Sequence, residues 1–156
     1  MGFRMGMTEP GPVVLIVEDD ADTIQLIRIS LLKSGFGNKV LAVRDGEEAV
    51  DYLLGEKKFA SRLDYPLPQL ILLDLKLPRM DGFDVLKWLR TWPPGQGIPV
   101  VVLTNSILQC DLNSAYAAGA NSYLVKGADA HELMGQMSSI GEMWLRGQAK
   151  LPVTRP

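Results

Sequence analysis

The chain has almost no soft metal-ligand chemistry: one cysteine, Cys110, and one histidine, His131. A single cysteine excludes an internal disulfide framework and points to a reducing, cytoplasmic setting. One cysteine and one histidine cannot build a zinc-type cluster, so both read as structural or surface residues. No apolar stretch is long enough to cross a bilayer, and Met1–Pro12 lacks the apolar centre of a secretory signal. A large excess of charge of one sign is missing too. The formal net charge of −2 gives no basis for bulk electrostatic binding to nucleic acid or to an anionic membrane. What remains is an ordinary soluble composition, 47% apolar and 22% charged over 156 residues. That fits one domain able to bury about 70% of its unfolded surface.

The apolar residues come in short runs separated by helical patterns. Val13–Val17, Lys39–Val43, Leu70–Leu73, Ile98–Leu103 and Asn121–Val125 read as strands. Between them, Ile24, Ile27 and Leu31 follow helical spacing, with Gly35 placed to end that helix. Ala49, Val50 and Leu53, then Val85, Leu86 and Leu89, then Leu108, Leu112 and Ala115 give three more helices an inner face. The last helix opens on a capping box, Asp129 with Glu132, and carries a stripe of Leu133, Met137, Ile140 and Trp144. Gly55–Gln69 is a longer, charged, proline-bearing connection, expected to be a surface excursion too polar for the core. Continuous apolar runs suit parallel strands covered on both faces. The alternation predicts a doubly wound α/β fold, a five-stranded parallel sheet with right-handed crossovers. The boundaries are a flexible leader 1–12, one domain over 13–146 and a disordered tail 147–156.

The strand ends carry the chemistry. The first run stops at Glu18 and Asp19, the third at Asp74, the fourth at Thr104 and the fifth at Lys126. Aspartate is a favoured turn residue, so Asp74 alone is equally compatible with a bare turn. Carboxyl ends of parallel strands, however, share one edge of the sheet, where open α/β folds bind ligands. Three carboxylates there repel one another unless a cation or a proton relieves them. Oxygen-only ligands with open positions suit Mg²⁺ better than Ca²⁺, and the acidic spacing of a calcium loop is absent. With Thr104 as a hydroxyl donor and Lys126 as a point charge, the set makes a phosphoryl-binding site with a carboxylate nucleophile.

In order along the chain, Val17-Glu18-Asp19-Asp20, Leu73-Asp74-Leu75-Lys76-Leu77-Pro78, Met80-Asp81-Gly82, Leu103-Thr104, Ala118-Gly119-Ala120 and Tyr123-Leu124-Val125-Lys126 are similar to the motifs of the response regulator receiver domain of two-component systems. The resemblance covers roughly residues 13–145, the usual size of one domain. It implies a flavodoxin-like (βα)5 fold. It implies that Asp74 accepts a phosphoryl group from a phosphohistidine on a sensor histidine kinase. Mg²⁺ would be held by Glu18, Asp19, Asp74 and the backbone carbonyl of Lys76. Lys126 would pair with the phosphoryl oxygens. Thr104 would hydrogen-bond them and shift, letting Tyr123 turn inward and reshaping the face of the fourth helix, fifth strand and fifth helix. That face is also the candidate homodimer surface. Met134, Met143 and Trp144 suit either a partner surface or additional core. The implied role is a phospho-accepting signalling module, not an enzyme, with catalysis confined to its own phosphorylation and dephosphorylation.

Three departures stand out. Gly127 occupies the place of the family's proline, where a cis bond without proline costs about 3–4 kcal/mol, which leaves that peptide geometry open. Asn105 is larger than the residue usual there, and Lys76 brings a second cation to the site. With the long Gly55–Gln69 connection and the Thr104-Asn105-Ser106 triplet, they resemble stand-alone regulators that work with bacteriophytochrome-type histidine kinases. No output domain is expected after residue 146, because ten residues cannot form one. Two other classes are open. An aspartate-nucleophile phosphatase would want a general-acid Asp where Lys76 stands. A scaffold with the same fold would bind partners without phosphate.

Overall fold

The computed structural model describes residues 12–36 and 39–146. Apart from Pro12, the expected leader and the expected tail lie outside the described residues. Five strands, β1 (Val13–Val17), β2 (Lys39–Val43), β3 (Leu70–Leu73), β4 (Val100–Thr104) and β5 (Ser122–Val125), form one parallel sheet in the order β2-β1-β3-β4-β5. Helices α1 (Ala21–Lys33), α2 (Gly46–Leu54), α3 (Gly82–Thr91), α4 (Gln109–Ala118) and α5 (Ala130–Ile140) fill the connections, and a π-helical turn at Gly141–Arg146 extends α5.

Strand periodicity divides the core. Val14 and Ile16 of β1, with Leu70 and Leu72 of β3, face α1 and α5 and pack on Ile24, Ile27, Leu31, Leu133, Met137 and Ile140. Leu15, Val17, Ile71 and Leu73 point the other way, onto Ala49, Leu53, Val85, Leu86 and Leu89. Both faces are covered, which is why β1, β3 and β4 read as unbroken apolar runs. Each of α1, α2, α3 and α5 starts on an aspartate (Asp20, Asp45, Asp81, Asp129) whose carboxylate accepts from an amide of the first turn. The strand order reverses between β1 and β3, so the edge beyond those two strands opens into a crevice.

Several expectations need correction. β4 starts at Val100, because Ile98 is held in a turn by its bond to the Gly95 carbonyl. β5 starts at Ser122; Asn121 precedes it, with its N–H donating to the Val100 carbonyl and its side chain accepting from the Val100 N–H and from Arg90. The inner face expected for α4 is thin: Ala115 is its buried residue, while Leu108 stands half exposed before it. The geometry left open at Lys126–Gly127 is trans, and no cis peptide bond occurs among the described residues. In the capping box, Asp129 accepts from the Glu132 N–H, but Glu132 reaches the Ala128 amide rather than that of Asp129.

The Gly55–Gln69 connection runs largely over the surface, as expected, but it also sends one aromatic side chain into the core. Phe59 is buried and packs with Tyr52 and Tyr65 at ring-centroid distances of 5.1–5.9 Å. Arg62 donates to the carbonyls of Tyr52, Leu53 and Tyr65, closing the end of α2. The Tyr52 hydroxyl donates to the Pro66 carbonyl at 2.7 Å. Burial pushes the Tyr52 phenol up to about 12 from 10.0. Between those values the unfolded chain loses a proton that the folded one keeps, so stability present below pH 10 falls as pH rises toward 12. Urea unfolding of Tyr52→Phe should show a loss of about 1 kcal/mol at neutral pH. Its stability should also fall less steeply than wild type over that alkaline range; parallel slopes would contradict the assignment.

Candidate phosphoryl and cation site

Backbone hydrogen bonds carry the sheet one residue past its strands and set the site in register. The Glu18 N–H donates to the Val43 carbonyl at 3.0 Å, Asp74 N–H to Val17 at 3.0 Å, and Lys126 N–H to Thr104 at 2.7 Å. Side chains that follow β1, β3 and β5 therefore converge on one edge. Gly82 closes the far side: its N–H donates to the Leu75 carbonyl at 3.0 Å. A Cβ there would sit 2.2 Å from the Asp74 carbonyl oxygen, so only glycine lets α3 start against this strand end.

Glu18, Asp19 and Asp74 each offer a carboxylate oxygen, all within 4.8 Å of one another. Lys126 Nζ stands between two of them, 2.7 Å from Glu18 Oε1 and 3.3 Å from Asp74 Oδ2. Glu18, Asp74 and Lys126 are nearly buried, with side chains 4%, 8% and 10% exposed, while Asp19 is open to solvent. Burial raises the Glu18 carboxyl above its ordinary range; the Asp74 charge adds to this and the Lys126 contact opposes it. Burial alone would push the Lys126 ammonium down, but the Glu18 hydrogen bond and the Asp74 and Glu18 charges outweigh it and hold it above its ordinary value. Three carboxylates against one ammonium leave two negative charges in a half-dry pocket. That donor set, all oxygen and with an open side, fits a hard divalent cation such as Mg²⁺.

Asp20, the third acid of the run, is a helix cap. Its carboxylate accepts from the Thr23 hydroxyl at 2.5 Å and the Thr23 N–H at 3.1 Å. The Thr23 contacts hold it below the usual carboxylate range. Lys76 donates its N–H to Asp74 Oδ1 at 3.3 Å while its side chain is exposed. It lines an open cleft of about 500 Å³ with Asp19, Asp81, Phe83 and Asp111.

Thr104 is fully buried, and its Oγ1 accepts from the Ser106 N–H at 3.3 Å. Tyr123 is half-buried beside Leu75, Val102 and Ala115, and its hydroxyl donates to the Ser106 carbonyl at 3.1 Å. Thr104 and Tyr123 are thus joined through Ser106. Sequence reading missed Asp111, which accepts from the Ser106 hydroxyl at 2.5 Å and ties this turn to the first turn of α4. A serine five residues before an acid carries no periodic signal. Cys110 and His131 are exposed and stand apart from the acidic cluster.

A nearly buried acidic crevice with one lysine, at the carboxyl edge of a doubly wound sheet, stands where open α/β folds bind ligands. The family model for the response regulator receiver domain matches residues 14–138, and the chain belongs to that family. The chain is 39% identical to a probable methanogenesis regulatory protein, FilR2, of Methanothrix harundinacea, over 85% of this chain and 83% of that one. It is 34% identical to the response regulator Rcp1 of Synechocystis, over 88% and 92%. Among solved structures, the phosphorylated cyanobacterial phytochrome response regulator RcpA superposes with a TM-score of 0.82 at 38% identity, covering 88% of this chain and 96% of that one. The Mn²⁺-bound form of Rcp1 superposes with a TM-score of 0.79 at 34% identity, covering 86% and 94%. No described helix is long and apolar enough to cross a membrane.

The charge imbalance is testable by thermal and urea unfolding with a chelator present. Asp74→Asn should be more stable than wild type by about 1 kcal/mol, since it relieves like charge. Lys126→Met should be less stable by about 3 kcal/mol, since it strands buried carboxylates. Reversed signs would show that the cluster is not over-charged.

Proposed function

We propose that residues 13–146 are a receiver domain that accepts a phosphoryl group on Asp74 from a sensor histidine kinase. The observation that carries this reading is the contact of Lys126 with Asp74 beside Glu18 and Asp19, inside the crevice at the switch point of the sheet. An Asp74 oxygen attacks phosphorus, the P–N bond of the phosphohistidine breaks, and the imidazole nitrogen leaves with the electron pair. Glu18, Asp19, Asp74 and the Lys76 carbonyl would hold Mg²⁺, which supplies charge neutralisation for the phosphoryl oxygens when bound. Lys126 then exchanges its carboxylate partners for phosphoryl oxygens, and Thr104 donates its hydroxyl to another. Because Ser106 joins Thr104 to Tyr123, a shift of Thr104 perturbs the tyrosine and the surface of α4, β5 and α5.

Exposed Ile107, Leu108, Tyr116 and Val125 make that surface apolar, in keeping with a partner or homodimer face. RcpA is a phytochrome response regulator, and bacteriophytochrome response regulators stand among the structural neighbours. A bacteriophytochrome-type kinase is therefore the partner class we assign. Self-catalysed phosphorylation from small donors and self-dephosphorylation, in a cytoplasmic setting, belong to the same reading.

Intact mass spectrometry after incubation with phosphoramidate should show one phosphoryl addition that needs Mg²⁺. It should vanish in Asp74→Asn, a loss of at least a hundredfold in rate, as expected when the nucleophile is removed. Addition that persists in the variant would displace Asp74 as acceptor. No addition to wild type would leave a phosphate-independent scaffold.

A further inference from the structure

The loop that carries Lys126 away from β5 is tied to α5 by side chains of that helix. Val125 ends an edge strand, so among the described residues its outer side has no partner strand. Gln136 takes that place with a two-way clamp. Its Nε2 donates to the Val125 carbonyl at 2.6 Å, and its Oε1 accepts from the Gly127 N–H at 2.8 Å. The two anchored peptide groups flank Lys126. One turn earlier on the helix, Glu132 Oε1 accepts from the Ala128 N–H at 2.7 Å. On the opposite side, the Lys126 N–H donates to the Thr104 carbonyl at 2.7 Å. Lys126 is therefore held from β4 and from α5 together, and its ammonium lands on Glu18 and Asp74.

Gly127 belongs to the same device. A Cβ there would lie 2.7 Å from Glu132 Cβ and 2.7 Å from the Leu133 nitrogen, so the loop meets α5 only without a side chain. A proline would meet the same atoms and would also lack the N–H that Gln136 binds. Where the family's pattern has proline, this chain has a glycine whose amide is fastened by a glutamine.

We propose that Gln136 is a positioning residue: by clamping the peptide groups on both sides of Lys126, it holds the ammonium on the Glu18 and Asp74 carboxylates and so sets both cation affinity and phosphoryl capture. The second half of this proposal rests on the phospho-acceptor reading; the first does not. Without a cation, Lys126 occupies carboxylate oxygens that a divalent ion needs, so a looser Lys126 competes less with the ion. The same loosening withdraws charge that the phosphoryl oxygens need. The two effects have opposite signs, which a general loss of structure cannot produce.

The test uses the full chain as wild type, Gln136→Met, which keeps the length without hydrogen bonds, and Gln136→Glu, which keeps the acceptor for Gly127. Mg²⁺ affinity is measured by titration calorimetry. Phosphorylation from acetyl phosphate, in which an Asp74 oxygen displaces acetate from phosphorus, is followed by intact mass at saturating Mg²⁺. Gln136→Met should bind Mg²⁺ severalfold more tightly and accept the phosphoryl group about tenfold more slowly, the usual size of a supporting-residue effect. Gln136→Glu should lie between it and wild type, and it carries the comparison if Gln136→Met does not fold. Unchanged or weaker Mg²⁺ binding, or a phosphorylation rate equal to wild type, overturns the proposal. If wild type itself accepts no phosphoryl group, the acceptor reading fails by itself. The Mg²⁺ titration then decides the clamp, tighter binding supporting it and unchanged or weaker binding overturning it.

Discussion

The ammonium of Lys126, lodged 2.7 Å from Glu18 and 3.3 Å from Asp74, is the contact on which the rest of the site depends. Two carboxylates this deep in a fold are costly unless paired, and a third, Asp19, stands at the rim. One lysine cannot balance three acids. The remaining charge makes the pocket an attractor for a divalent cation, and with a cation in place Lys126 becomes free to meet an incoming anion. On the proposed function, a site that is over-charged when empty is thus poised to bind cation and phosphoryl group together. The sheet supplies the rigidity: β1, β3 and β4 are buried on both faces, and ladder hydrogen bonds run on into Glu18, Asp74 and Lys126.

The same features were readable in the sequence because they obey simple geometry. A short apolar run that ends in a carboxylate or a lysine puts that group at a strand's carboxyl end, and parallel strands align those ends. Glu18, Asp74, Thr104 and Lys126 needed nothing more. The same reading put Asp19 in the cluster and left Asp20 out, and Asp20 is engaged elsewhere, capping α1 through Thr23.

What escaped the sequence depends on packing between distant segments. Tyr52, Phe59 and Tyr65 share no period, yet they meet because the chain folds back over α2. Counting charges therefore found the surface loop but missed Phe59, the residue that anchors it in the core. The helical stripe expected on α4 was over-read for the opposite reason: Leu108 and Leu112 have the right spacing, but only Ala115 is buried there. That thinly packed helix buries Ala115 and is held at its start by the Ser106–Asp111 contact. An element of that kind is suited to move. Gln136 was hidden too, because a glutamine on a helix reads as solvent-facing until its backbone partners are seen.

The most direct test of the central claim is to locate the acceptor chemically. Wild-type protein, treated with a small phosphodonor and Mg²⁺, would be reduced with borohydride and mapped by peptide mass. The account predicts that the reduced acyl phosphate lies on Asp74 and on no other acid. Label on Glu18 or Asp19, or on a carboxylate outside the crevice, would contradict it.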